Sequence, residues 1–210
     1  AIAGHNGVPH NHNDIGSFIL HRGDKLWLTD PGGPVYSRKT FGPNRYDIIF
    51  CNSRGHSVPV VNGQLQQPGA RFRGKIKVVG LNTPGPKSAV VDMTRGYSKG
   101  TVESLTREFI LDPDANRLKI TDSYRFARKP RSIEEVFITF EQVTVSKGGR
   151  SVQIGPGNKG VQITAKAKGR FSVKSLIEES KEGRSDQTIQ RISFTPTDRA
   201  REMTLTFVIQ

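Results

Sequence analysis

The sequence has one cysteine, Cys51, so an intramolecular disulfide and a thiolate-based zinc cluster are both excluded, and the redox compartment is left open. No apolar run approaches the length of a membrane-spanning helix, which makes a soluble protein the expectation. There is no initiator methionine. The opening Ala1-Ile2-Ala3-Gly4-His5-Asn6-Gly7 carries neither a signal peptide nor a charged leader, and it reads as a fragment or a processed product. No repeat of fixed period and no low-complexity tract interrupts the chain, so one domain over residues 1–210 is expected. Acidic side chains are also short: 19 Asp and Glu stand against 32 Lys and Arg, a formal net charge of +13. Such an excess favours a polyanionic partner, whether nucleic acid, an anionic membrane surface or an acidic polysaccharide. A solvated basic surface with no partner accounts for the charge equally well.

What is plentiful points to strands. The 22 Gly and 12 Pro, set among many Val, Ile, Thr and Phe, suit short strands joined by turns and not a helix bundle. Residues 1–70 hold every histidine and the only tryptophan, residues 71–100 are basic and glycine-rich, and from about residue 101 strand-like runs follow one another. Ser104–Leu111 and Arg117–Tyr124 flank Asp112-Pro113-Asp114-Ala115-Asn116, whose turn chemistry predicts a hairpin. Ile133–Val145 has helical spacing, but its β-branched and aromatic content and its end at Lys147-Gly148-Gly149 favour a strand. Further strands are predicted at Ser151–Ile154, Val161–Ala165, Phe171–Leu176, Thr188–Phe194 and Met203–Ile209. The expected architecture is all-β, an antiparallel β-sandwich with few or no helices.

The stretch that carries chemistry is Pro9-His10-Asn11-His12-Asn13-Asp14-Ile15-Gly16-Ser17-Phe18. In an extended strand His10, His12 and Asp14 share one face, and burying three such groups is costly without partners or a metal ion. Asp30, in Thr29-Asp30-Pro31-Gly32-Gly33, and His56, in Ser53-Arg54-Gly55-His56-Ser57-Val58, are further candidates. Two histidines and a carboxylate offer nitrogen and oxygen donors suited to zinc or another divalent transition ion. Spacing alone leaves a second reading open, a polar strand that is solvated or internally hydrogen-bonded.

Taken in order, Pro9–Leu20, a strand ending in Asp30-Pro31-Gly32, a tyrosine and then Gly55-His56-Ser57-Val58-Pro59-Val60-Val61-Asn62-Gly63 resemble the heparinase II/III family of polysaccharide lyases. The likeness spans roughly residues 4–66 and is specific as a set, although Gly55-His56-Ser57-Val58 departs from a common His-Asn-Thr-Val. The resemblance implies the C-terminal β-sandwich, supersandwich-like, of a larger enzyme whose N-terminal α/α-toroid lies outside these residues. It implies that His12, Asp30 and His56 hold a structural zinc-like ion, that His10 faces the active cleft, and that Asp14 steadies the histidine segment. Tyr46 falls where an alginate-degrading branch has a cleft tyrosine; a packing tyrosine is the other reading. The implied chemistry is β-elimination of a uronate-containing chain, in which a base takes the C5 proton and an acid protonates the leaving oxygen at C4. Family members are typically periplasmic or secreted, and the resemblance carries that location with it.

Basic side chains fit the same substrate class. Arg71, Arg73, Lys75 and Lys77 alternate with Phe72, Gly74, Ile76 and Val78, which predicts a strand with one basic face. Arginine forks match carboxylate and sulfate geometry, so Arg54, Arg71 and Arg73 are the candidate substrate-binding residues. A merely solvated strand face is the alternative. No helix-turn-helix, zinc-finger or RNP-like motif accompanies the stripe, so neither a nucleic acid nor a membrane is the expected partner. Three functions compete: a lyase domain inactive without its toroid, a non-catalytic β-sandwich that binds acidic polysaccharide, and a nucleic-acid-binding module. Heparin-like, heparan-sulfate-like and alginate-like chains are not separated by these residues.

Overall fold

Period-two alternation dominates this chain, and it governs the structure, a computed structural model that describes residues 1–157 and 159–210. The first strands are β1 (Gly4–Asn6), β2 (Leu20–Arg22), β3 (Lys25–Leu28), β4 (Val60–Val61), β5 (Gly69–Val79) and β6 (Lys87–Asp92). They are followed by β7 (Ser104–Asp112), β8 (Arg117–Arg125), β9 (Ile133–Thr139), β10 (Val143–Val145), β11 (Ser151–Ile154) and β12 (Val161–Ala165). β13 (Gly169–Leu176), the one-turn helix α1 (Ile177–Ser180), β14 (Ile189–Pro196) and β15 (Glu202–Ile209) complete the series. A nine-stranded sheet has the order β1-β5-β6-β7-β8-β15-β12-β11-β10, a four-stranded sheet the order β13-β14-β9-β4, and β2-β3 form a separate hairpin. The named pairings are antiparallel, as an all-β sandwich requires.

The β7–β8 hairpin forms as the turn chemistry predicts, in register from Ser104↔Arg125 to Asp112↔Arg117. Asn116, at φ 46°, takes the left-handed position that asparagine tolerates, and Asp112 accepts a hydrogen bond from the Ala115 N–H. Leu105 and Phe109 of β7 and Ile120 and Tyr124 of β8 turn inward, into a core shared with Phe137, Phe171, Phe194 and Phe207. Phe207 of the large sheet meets Phe137 and Phe194 of the small sheet at ring distances of 5.1 and 5.3 Å, which locks the two layers face to face. The other face of the small sheet is also buried. Val136, Ile138, Leu176 and Ile189 pack there against Ile48, Ile49, Phe50 and Cys51. Residues 39–55, a run of short 3₁₀ turns, thus form a third layer that leads directly to His56.

One charged group lies within the core. Arg107, fully buried, meets Asp122 and Glu135, both also buried, and its Nη1 donates to the carbonyls of Gly16 (3.1 Å) and Ser57 (2.5 Å). Burial and the Asp122 carboxylate hold the Glu135 carboxyl well above the usual range, against the pull of Arg107. The Tyr124 hydroxyl donates to Glu135. These bonds join β7, β8 and β9 to the two loops that carry the histidines.

Two expectations are corrected. Ile133–Val145 is not one strand, because β9 belongs to the small sheet and β10 to the edge of the large one. The chain crosses between layers at Phe140–Gln142, where Thr139 Oγ1 accepts from the Glu141 N–H and the Gln142 carbonyl accepts from Gly155. The histidine stretch is not a strand either: residues 7–19 are turns and irregular backbone, and His10 has φ 57°. His10, His12 and Asp14 therefore share no strand face. The strand expected over Arg71–Val78 forms as part of β5, which pairs with β6 from Lys75↔Asp92 to Val79↔Ser88.

Candidate metal centre and the His10 wall

Three separate segments are drawn together by backbone bonds. Ile138 on β9 is the staple for two of them: its carbonyl accepts from the Thr29 N–H at 2.9 Å, and its N–H donates to Ser57 Oγ at 3.0 Å. Asp30 and His56 are the adjacent residues, so the same point of β9 fixes both. The third segment is held by Asn13, whose N–H donates to the Cys51 carbonyl and whose carbonyl accepts from Ser53 Oγ at 2.7 Å. Gly55 is required just before His56, because a Cβ there would lie 2.4 Å from the Ile49 carbonyl oxygen.

His12, Asp14, Asp30 and His56 each offer one donor atom, and these atoms all lie within 4.8 Å of one another. His56 is fully buried, and the other three are partly so. His56 Nε2 is 3.0 Å from the Phe50 carbonyl, an acceptor only, so that nitrogen carries the proton. A neutral His56 then turns the Nδ1 lone pair on Asp30 Oδ2 at 2.9 Å. Two acceptors so close need a positive charge, either a second proton on His56 or a cation that both ligate. Two imidazoles and two carboxylates around one point supply more donors than a proton needs, and they fit a divalent ion. The group could hold a metal.

Burial pushes the His12 imidazole down to a pKa of about 4; His56 and Arg45 add to this and Asp30 opposes it. Burial also works against a charged His56, but the hydrogen bond and charge of Asp30 win and hold its pKa above the usual value. The Asp30 carboxyl, despite its burial, is held below the usual range by His56 and the Gly32 N–H. In metal-free protein, the unfolded chain takes up a proton below 6.5 that folded His12 refuses until about 4. His12 therefore subtracts stability as pH falls through that window. His56 acts in the opposite sense: its contribution is full below its unfolded value and is lost as pH rises through the folded one. Urea unfolding of chelator-treated protein between about pH 7 and about pH 4.5 should show a smaller loss for His12→Gln than for wild type. Equal losses in the two proteins would contradict this assignment.

His10 lies apart from this group. Its exposed ring stacks on Tyr36 at 5.9 Å and 24° and meets Phe41 edge-on at 5.9 Å. Tyr36 and Phe41 are themselves 53% and 62% exposed, and the Arg184 guanidinium lies 4.3 Å over the Tyr36 ring. Together they make an open aromatic wall. Tyr46 is fixed close by: its hydroxyl donates to Asn11 Oδ1 at 2.8 Å, and Asn11 is the residue between the two histidines. Arg45 closes the same knot, donating to the carbonyls of Thr40 and Asn11 at 2.9 and 2.8 Å.

The candidate arginines do not share one site. Arg54 is exposed in a groove with Glu134, Lys174 and Arg191, whereas Arg71 lines another groove beside Arg95 and Lys99. Arg71, Arg73, Lys75 and Lys77 are all exposed on β5, as the alternation predicts. Sequence reasoning missed Tyr36, Phe41 and Arg184 of the wall. Nothing in local spacing marks Arg184, which reaches the wall because Pro34 and Gly183 form a bridge.

Residues 1–207 match the family described as heparinase II/III-like, C-terminal. No match is found among curated proteins. Among solved structures, the chain is similar to a heparinase III gene product with methylated lysines, at a TM-score of 0.74 and 14% identity, over 99% of this chain and 31% of that one. It is also similar to a second heparinase III crystal structure, at a TM-score of 0.69 and 16% identity, over 95% and 29%. At such identities the likeness establishes the fold, and the chain spans under a third of the length of these heparinase III chains.

Proposed function

The chain belongs to the heparinase II/III-like C-terminal family, and on that premise we propose that it is the β-sandwich part of a lyase acting on a uronic-acid-containing polysaccharide. The observation that carries the proposal is the convergence of His12, Asp14, Asp30 and His56 behind a loop that presents His10 on an open aromatic wall. The substrate class is heparin- or heparan-sulfate-like, or alginate-like. The reaction is β-elimination: the C5 proton leaves to a base, the C4–oxygen bond breaks as a C4=C5 double bond forms, and the leaving oxygen takes up a proton.

His10 and Tyr46 are the proposed catalytic residues. The wall leaves the His10 imidazole open to a substrate, and Asn11 holds the Tyr46 hydroxyl one residue away from it. The proposed ion is zinc or another divalent metal, ligated by His12, Asp30 and His56 with Asp14 as a further carboxylate. Such an ion would tie the three loops into one rigid support, a structural role. Arg54, Arg71 and Arg73 are proposed to meet carboxylate or sulfate groups along the chain. The remaining catalytic groups are assigned to an α/α-toroid domain of the same parent, in the periplasm or outside the cell.

An ultraviolet assay for unsaturated uronate product tests this reading on heparin, heparan sulfate and alginate. Turnover by the parent protein and none by residues 1–210 alone is the expected result. Robust turnover by the 210-residue chain would refute its status as half an enzyme, and an inactive parent on all three would refute the lyase reading. The exposed basic face of β5 also favours a second reading, a non-catalytic binder of acidic polysaccharide. In that case replacing Arg71 and Arg73 abolishes function while His10→Ala leaves it intact.

A further inference from the structure

A groove between β5 and the turn after β6 shares no residue with the metal centre or the His10 wall. It has a volume of about 630 Å³. Phe72, Tyr97 and Val102 are its buried apolar floor, and Arg71, Arg95 and Lys99 stand exposed around it. The floor is fixed, since the Tyr97 hydroxyl donates to the Pro59 carbonyl at 2.6 Å. The Arg71 guanidinium lies 4.8 Å over the Phe72 ring.

The charge of this groove is uncompensated. Asp92, just before the turn, accepts from the Thr94 N–H at 3.0 Å, and Glu103, just after it, lies 3.6 Å from Arg125. Among the described residues, none of Arg71, Arg95 and Lys99 forms an ion pair. Three free cations above an apolar floor suit a ligand with an anionic edge and an apolar face. A pyranose bearing a carboxylate or sulfate has both: its C–H face covers the floor while its anion meets the guanidinium forks. Phe72 and Tyr97 are only 9% and 3% exposed, too little open ring for a stacked nucleobase, so for a sugar too the floor gives limited contact and the three cations carry the recognition.

The groove also adjoins the metal-bearing loop. A Cβ at Gly96 would lie 3.2 Å from the Gln66 side chain, and that side chain holds both the N–H and the carbonyl of Ile15, next to Asp14. We infer that the groove is an accessory subsite that takes the anionic group of a sugar unit away from the scissile bond, an inference that rests on the acidic-polysaccharide reading.

Calorimetric titration of the 210-residue chain tests it, with a heparin-derived tetrasaccharide, a tetragalacturonate and a short oligothymidylate as probes. The variants are Arg95→Gln with Lys99→Gln, and, as a control of equal charge loss, Arg128→Gln with Lys129→Gln in the exposed β8–β9 turn. Wild type should bind at least one acidic tetrasaccharide, and the groove pair should weaken it by about tenfold or more, as loss of charge-assisted bonds predicts. The control pair should change it by less than about twofold. The tetrasaccharide that binds identifies the anion, uronate alone or sulfate as well. Equal weakening in both pairs overturns the subsite as generic attraction. Binding untouched by the groove pair overturns it while leaving the polysaccharide reading in place. No binding of either tetrasaccharide by wild type overturns the subsite, while turnover by the parent protein decides the polysaccharide reading separately. Tighter binding of the oligothymidylate overturns the subsite in favour of a nucleic-acid partner.

Discussion

Arg107→Met is expected to cost the fold about 3–5 kcal/mol, a large part of the stability of a domain this size. The cost does not measure the worth of an ion pair. Removing the guanidinium strands the Asp122 carboxylate at full burial, beside a Glu135 already held above its usual range. It also leaves the Gly16 and Ser57 carbonyls without their donor. Replacing the whole set, by Arg107→Met with Asp122→Leu and Glu135→Met, should restore much of the loss, because apolar groups of similar volume can substitute for a buried ionic cluster. Urea denaturation reads both variants. A single variant within about 1 kcal/mol of wild type would show that the cluster is not the buried, mutually dependent network described here. The same substitution should weaken metal binding, since Gly16 and Ser57 flank the loops of Asp14 and His56.

His10→Ala, made in the parent protein, is the second large effect. If His10 moves a proton in the transition state, turnover on the preferred uronate polysaccharide should fall by about 10²–10⁴-fold. Metal content and thermal midpoint should stay at wild-type values, because His10 is exposed and offers no donor to the group of four. Asp30→Ala should show the reverse pattern: loss of the ion, a lower midpoint and a secondary loss of activity. A His10→Ala enzyme with full turnover removes His10 from the chemistry, and one that loses its metal moves it into the metal centre.

The sandwich was legible because its physics is local. Alternation in Leu118-Lys119-Ile120 and the Asp112–Asn116 turn suffice to place β7 and β8. The failure at Ile133–Val145 has a nonlocal cause, since one stretch rich in β-branched and aromatic residues serves two sheets and only the layer crossing at Phe140–Gln142 divides it. The candidate metal-binding group shows the same division. His12, Asp30 and His56 stand out as donor residues in the sequence, the family resemblance joins them into one ligand set, and the structure brings them within reach of one another. The shared strand face expected for His10, His12 and Asp14 does not exist. Pro9-His10 turns the chain, so His10 departs to the wall while Asp14 joins the other three donors. The contacts that assemble the group run through Ile138 and Asn13, whose hydrogen bonds leave no trace in spacing or composition. Arg184 is the extreme case, brought to Tyr36 from the far end of the chain.

The central claim is that four donors from three loops hold a metal ion. Elemental analysis of protein purified without added metal or chelator, alongside Asp30→Ala, tests it most directly. About one divalent ion per chain in wild type, most simply zinc, and none in the variant is the predicted result. A well-folded wild type containing no metal would contradict it, leaving His56 and Asp30 as a buried imidazolium–carboxylate pair.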